Sequence, residues 1–147
     1  MLPQDRFKLI LSVYTIFVKD GKTLLLRRAN TGFEDGNYGL VSGHADGNEA
    51  ASHAACREAL EESGLTLNPK DLKFAHLMHR IGKDERIDVF FIVDEWSGEP
   101  VNNEPDKCDD LSWFPLDNLP SNTIPYVRHA LECYQKGVQY SEFGWSA

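Results

Sequence analysis

The chain has 147 residues, 41% of them hydrophobic and 26% charged, which is the length and balance of one soluble globular domain, 1–147, around a single core. Its formal net charge of −8 argues against a grip on a nucleic-acid polymer, which relies on a basic surface; a small phosphate ligand is still open to it, because a bound cation reverses the local charge. Three widely spaced cysteines, Cys56, Cys108 and Cys133, form no CxxC pair and signal neither a zinc knuckle nor a disulfide framework.

Arg6 and Lys8 precede the apolar run "LILSVYTIFV". Ser12, Tyr14 and Thr15 interrupt it, no small-residue cleavage site follows, and it is too short to cross a bilayer. We read it as a strand of a cytoplasmic protein without a membrane partner. "KLILSVYTIFV" and "KTLLLRRA" flank Asp20–Gly21, a pair suited to a tight hairpin. The polar loop "NTGFEDGNYG" leads to "YGLVSG", a short strand or strand end. A helix follows. Asp46 or Asn48 is its expected cap, Glu49 lies in or near its first turn, its alanines favour helix and close packing, and Gly64 stops it. "KFAHLMHRI" and "RIDVFFIVDEW" read as two strands, the second nearly continuously apolar and therefore central. After the polar loop "SGEPVNNEPDKCDD" come a short strand "LSWFPL" and a last helix "IPYVRHALECYQKG", with Pro125 in its first turn and Gly137 at its end. The aromatic tail "VQYSEFGWSA" is expected to fold back on the body, with a homodimer contact as the other use of that apolar surface. Strands, two helices and hairpin signals together predict a mixed α/β sandwich, a sheet with helices on its faces.

The helix carries the chemistry. Residues three and four apart share a helix face, so Glu58, Glu61 and Glu62 project together, with the small Ala51 and Ala54 on the same side. Cys56, Ala59, Leu60 and Ser63 turn elsewhere, and Leu60 with its neighbours is expected to pack on the sheet. Like charges at this spacing repel by a few tenths of a kcal/mol per pair, and anions near a helix C-terminus oppose its dipole by about 0.3–1 kcal/mol each. Arg57 offsets one of them, Glu61 four residues on. The arrangement makes sense if a cation sits there: carboxylate oxygens are hard ligands that suit Mg²⁺ or Mn²⁺, especially with a phosphate in the shell.

Gly43, five residues, Glu49, seven residues and then "REALEESGL" resemble the Nudix box of the Nudix hydrolases over residues 43–65, with Gly43, Glu49, Arg57, Glu58, Glu61, Glu62 and Gly64 in register. The resemblance implies a Nudix-like α/β/α sandwich with a mixed β-sheet, and divalent-metal-dependent cleavage of a nucleoside diphosphate linked to another group. It implies Glu58, Glu61 and Glu62 as metal ligands, Gly43 as a backbone ligand or the residue that permits a tight approach, Arg57 as the partner that orients a glutamate, and Glu49 as a brace of the loop or an outer metal contact. It extends over residues 9–136 as a MutT-like domain, in which Glu104 falls where relatives often carry a further acidic residue, a ligand or water-activating base. Glu61, Glu62, Arg57 and Glu104 are thus the expected catalytic group. The chain departs from many relatives in having "VSGHADGN" where they place Pro-Gly-Gly, and His44 in that loop is a candidate phosphate contact.

The expected reaction is water attack on a pyrophosphate link of a nucleoside triphosphate or another nucleoside diphosphate derivative, with Mg²⁺ or Mn²⁺ as cofactor and a small nucleotide as partner. A regulatory module that binds nucleotide without catalysis, or a hydrolase of a non-nucleotide diphosphate, are the alternatives. Arg27 and Arg28 face opposite ways on a strand, and one of them is expected to reach substrate. Phe33, Tyr38, Phe90 and Trp113 are candidates for stacking on a base, although a core role suits Trp113 better. The HxxH pair His76 and His79 reads as structural rather than metal-binding.

Overall fold

The computed structural model describes residues 6–146; Met1–Asp5 and Ala147 of the expected domain lie outside them. The first strand organises the sheet. β1 (Ile10–Lys19) turns at Asp20 and Gly21, both at positive φ (53° and 74°), into β2 (Lys22–Arg28), with Lys19 opposite Lys22. That is the two-residue turn whose left-handed backbone matches the strand twist. The other half of the same edge of β1 pairs antiparallel with β4 (Val41–His44), Ser12 opposite His44 and Tyr14 opposite Ser42. On its far side β1 runs parallel to β6 (Glu85–Val93). β6 pairs antiparallel with β5 (Lys73–Ile81), so the apolar "RIDVFFIV" run is central, as its composition predicts. β2 also pairs with the two-residue β3 (Tyr38–Gly39) and with β7 (Cys108–Pro115).

The period-two pattern of these strands feeds two helical layers. Val13 meets Ala54 and Ala55 of α1 (Ala51–Ser63), and Phe17, Leu24 and Leu26 pack with Ala59 of the same helix. The intervening Tyr14, Ile16 and Leu25 face the opposite way, toward Val127, Ala130 and Leu131 of α2 (Pro125–Gln135). The result is the sheet with helices on its faces that the pattern predicts, and the α/β/α sandwich with a mixed sheet that the resemblance implies. The tail folds back as expected: β8 (Tyr140–Phe143) adds a parallel strand to β5.

Three local expectations are corrected. α1 begins one step after Ala50, which makes no side-chain cap; Asn48 sits at φ 65°, a left-handed conformation that ends a turn, while Glu49 lies just before the cap, near the first turn as expected. Leu60 does not pack on the sheet. It is 49% exposed, and Ala54, Ala55, Ala59 and Ser63 form the buried stripe instead. The strand read as "LSWFPL" starts three residues earlier, at Cys108. Gly64 ends α1 in the left-handed conformation (φ 73°), its N–H donating to Leu60 O, as its position predicts.

Candidate active site

A cleft of about 650 Å³ opens where β4 leaves the shelter of α1. The sequence brings the helix unusually close here. A side chain at Gly43 would overlap the Glu58 carboxylate, so only glycine lets the strand backbone and that carboxylate share the space. One residue before, the Ser42 N–H donates to Glu62 Oε1 at 2.7 Å.

Arg57 holds the acidic group in place. Its Nε donates to Glu49 Oε2 at 2.8 Å, its Nη1 to Glu58 Oε1 at 2.7 Å, and its Nη2 to His44 O at 3.0 Å. Glu61, the partner expected from the i,i+4 spacing, lies farther off at 3.5 Å. The hydrogen bonds from Arg57, with one from the Asp46 N–H, hold the Glu49 carboxyl down at about 2, so Glu49 is a fixed anion that braces the loop against the helix.

The C-terminal carbonyls of α1 anchor the loop that carries Glu104. Val101 N–H donates to Ser63 O (2.9 Å), Asn103 N–H to Glu62 O (3.2 Å), and the Asn103 side chain to Glu61 O (3.3 Å). These bonds satisfy acceptors that a helix end leaves open and bring Glu104 to the wall that Gly43, Glu58, Glu61 and Glu62 share. Burial pushes the Glu62 carboxyl up to about 8, and the charges of Glu58 and Glu104 add to the rise against the opposing Ser42 N–H. The Glu58 carboxyl is raised for the same reasons, burial first and then Glu61 and Glu104, against the pull of Arg57.

Among the described residues, no three His, Cys, Asp or Glu side chains are already gathered into a closed ligand set. The donor chemistry nevertheless fits a hard divalent cation. The donors are carboxylate oxygens lining one cleft, and the Glu62 carboxyl, pushed up by burial and then by the charges of Glu58 and Glu104, lacks a positive charge beside it.

The same cleft is lined by cations that the sequence reading left largely unassigned: Arg28, Arg80, Lys83, Arg86 and Lys107. Of the consecutive pair, Arg28 lines the cleft, whereas Arg27 turns out to an ion pair with Asp109 at 2.7 Å. Arg86 Nη1 donates to His44 Nε2 at 2.7 Å, and burial together with the Arg86 charge lowers the His44 pKa. His44 therefore enters the cleft as a neutral imidazole. Of the four aromatic candidates only Phe33 reaches this space. It is 49% exposed with the Arg28 guanidinium 5.4 Å from its ring centre. Tyr38 and Phe90 are core, and Trp113 stacks on Trp96 at 5.8 Å in the other cluster. The HxxH pair is structural: His76 is fully buried and bonded to Val138 O and Ser141 Oγ at 2.7 Å each, and His79 bonds Glu85.

A sequence profile described as the NUDIX domain matches residues 7–134. The chain belongs to the NUDIX family. It is 33% identical over 110 residues to a Danio rerio protein named oxidized purine nucleoside triphosphate hydrolase, with 71% of this chain and 65% of the relative covered. It is also 33% identical over 108 residues to a Methanocaldococcus jannaschii protein named ADP-ribose pyrophosphatase, with 71% and 61% covered. The chain thus spans slightly under two thirds of the length of those relatives. Among solved structures, a MutT NUDIX hydrolase from Burkholderia pseudomallei superposes with a TM-score of 0.78 at 31% identity, over 86% of this chain and 98% of that one. No helix among the described residues is long and apolar enough to cross a membrane.

Proposed function

We propose that the protein hydrolyses a pyrophosphate bond in a nucleoside triphosphate or another nucleoside diphosphate derivative, using Mg²⁺ or Mn²⁺ held by Glu58, Glu61, Glu62 and the Gly43 carbonyl, and that it does so in the cytoplasm. The observation that carries this reading is the convergence of four glutamates and five cationic side chains on one cleft. Neither set alone suits a nucleotide, since the acidic one repels phosphate and the basic one has nothing to activate water. The names of the two sequence relatives, one an oxidized purine nucleoside triphosphate hydrolase and the other an ADP-ribose pyrophosphatase, support a substrate with a nucleotide and a phosphoric anhydride.

The cation, when bound, neutralises non-bridging phosphate oxygens and lowers the pKa of water. The chain's own residues do the rest. Arg57 fixes Glu58 through its 2.7 Å hydrogen bond, so that carboxylate loses no orientation during the reaction. Glu104 takes the proton of the attacking water. Arg28, Lys107 and neutral His44 donate hydrogen bonds to the phosphate chain, where developing charge needs fixed donors. Phe33, stacked on Arg28, offers its free face to a base.

The test is a screen of nucleoside triphosphates, nucleotide sugars and dinucleotides with Mg²⁺ or Mn²⁺, read as phosphate released after inorganic pyrophosphatase is added. Turnover of at least one class is expected, with Glu61→Gln and Glu62→Gln each lowering it by about two orders of magnitude or more while the far-UV spectrum stays native. Absence of turnover throughout, or full activity in either variant, contradicts the assignment.

A further inference from the structure

His44 stands in the loop where this chain departs from many relatives, and its neighbours hold it at three points. Its carbonyl accepts from Arg57 Nη2 at 3.0 Å, and the N–H of the next residue, Ala45, donates to Leu11 O at 3.0 Å. The third point is the ring. His44 of β4 lies opposite Ser12 of β1, and Ser12 lies opposite Asp88 of β6. Arg86 comes two residues before Asp88 and so projects from the same face of β6. Its guanidinium crosses the buried Ser12, with Nη1 3.3 Å from Ser12 Oγ, and reaches His44 Nε2 at 2.7 Å; Nη2 donates to Asp84 Oδ2 at 3.2 Å. Arg86 and His44 line the same cleft as Ser42, Gly43 and the glutamates. Beyond the bond to Arg86 the imidazole makes none among the described residues, so Nδ1 has no partner there.

Arginine has donors only, so the nitrogen it meets is an acceptor. A neutral imidazole carries one N–H and one lone pair, and the hydrogen bond made by one nitrogen decides the state of the other. With Nε2 accepting from Arg86, the proton is on Nδ1. The opposite form sets an Nε2–H against a guanidinium N–H, two donors 2.7 Å apart. The difference matters in a phosphate site. An Nδ1–H is a fixed donor for an oxygen on which negative charge develops, and it needs no reorganisation as the charge appears. A lone pair on Nδ1 repels that same oxygen.

Resting on the nucleotide reading, we propose that Arg86 is a positioning residue that fixes His44 in its Nδ1–H form, and that this N–H donates to a non-bridging phosphate oxygen of the substrate. Arg86 acts on the reaction only through the imidazole. Lysine in its place keeps a donor for Nε2, whereas methionine has none. With methionine the ring reverts to the Nε2–H form that an imidazole favours in water, and a lone pair faces the phosphate. The loss caused by removing Arg86 therefore disappears once His44 is gone, because residues that act as one unit are not additive.

Three measurements test this. The first is the nitrogen NMR shifts of isotope-labelled histidine rings in the metal-free protein at mildly alkaline pH, with the His44 signals identified by their absence in His44→Ala. The wild type and Arg86→Lys are expected to show a protonated Nδ1 and a bare Nε2, and Arg86→Met a shift toward the reverse. The second is titration of the wild type with inorganic pyrophosphate and Mg²⁺, which is expected to move the His44 Nδ1 signal. The third is kcat/KM for the nucleotide that the screen above identifies. Arg86→Met and His44→Ala are each expected to lower it by roughly tenfold or more, as loss of a hydrogen bond to a charged group does. Arg86→Lys is expected to keep most of the rate, and Arg86→Met/His44→Ala to be no slower than His44→Ala alone. A wild-type ring protonated on Nε2, an Arg86→Met ring that keeps its proton on Nδ1, a pyrophosphate titration that leaves the Nδ1 signal in place, or an Arg86→Met loss that persists in the His44→Ala background overturns the proposal. The first two measurements on the wild type decide the matter if Arg86→Met does not melt cooperatively. If they come out as expected and no nucleotide is turned over, the hydrolase reading fails and the hold of Arg86 on His44 stands.

Discussion

Gly43 is the point where sequence, geometry and chemistry meet most tightly. Its lack of a side chain lets Glu58 reach over the strand to Arg57, and Arg57 in turn ties the helix to Glu49 and to the His44 carbonyl. A single methyl group at this position has to displace the Glu58 carboxylate or push β4 away from α1. We predict that Gly43→Ala lowers kcat by about 10²-fold, the usual result of moving a reacting group by an ångström, with secondary structure retained. Gly47→Ala is the matched control, because nothing lies within 4 Å of its added Cβ, and it should leave the rate unchanged. Steady-state kinetics on the two variants, with circular dichroism for the fold, checks both. The same residues answer the puzzle of three glutamates at a helix end. The dipole that disfavours them is blunted where Asn103 and Val101 donate to the last carbonyls, and Arg57 supplies positive charge from within the helix.

α1 docks through its smallest residues. Ala54 and Ala59 are fully buried and Ala55 is 1% exposed, whereas Leu60 stands 49% exposed; with alanine at the contact, the helix axis comes close enough for Glu58 and Glu62 to reach β4. Ala59→Leu should therefore cost about 1–3 kcal/mol by overpacking, and Leu60→Lys should stay within about 0.5 kcal/mol of wild type, as surface changes do; urea unfolding of both variants measures the difference. Reading the helix from its bulkiest apolar residue gave the opposite docking, because periodicity reports which residues share a face and not which face is the closer-packed one. Where periodicity and turn chemistry were strong the sequence was sufficient: the Asp20–Gly21 hairpin, the central "RIDVFFIV" strand and the Gly64 stop all appear where they are expected. The acidic residues of the cleft were equally legible, since the helical glutamates lie within five residues. The basic ones were not. Arg28, Arg80 and Arg86 come from three strands, and only the pairing register, Arg80 opposite Arg86 and Ser12 opposite Asp88, brings their surroundings together. One signal was available: an aspartate in an otherwise apolar central strand needs a buried partner, and Arg80 is that partner.

The molecule as a whole is acidic, with a net charge of −8, and its most costly concentration of negative charge is in the cleft, so its stability should depend jointly on pH and on divalent cations. The sign follows from Glu62. Its carboxyl rises from the ordinary 4.5 to about 8 in the metal-free fold, so between those values the folded chain binds more protons than the unfolded one. Stability then falls as pH rises: the contribution is fully present below about 4.5 and is lost by about 8. Glu58, raised in the same direction, adds to the trend. Calorimetric melting in a chelator from pH 5 to 8 should show this decline as the difference between wild type and Glu62→Gln, whose neutral side chain cannot titrate; other titrating groups cancel in that difference. A divalent cation should reverse it, because the ion binds the folded carboxylates and not the unfolded chain. At one hundred times its dissociation constant the stabilisation is about 2.7 kcal/mol. At a fixed cation concentration the gain should be larger at pH 8 than at pH 5, where protons compete for the same oxygens. Sodium chloride at matched ionic strength should not reproduce it, since exposed charges are screened by any salt but only a ligated ion relieves a walled-in carboxylate. If Mg²⁺ and Mn²⁺ stabilise the Glu58→Gln/Glu62→Gln double variant as much as the wild type, the cation binds elsewhere, and the crowding of the four glutamates has some other cause.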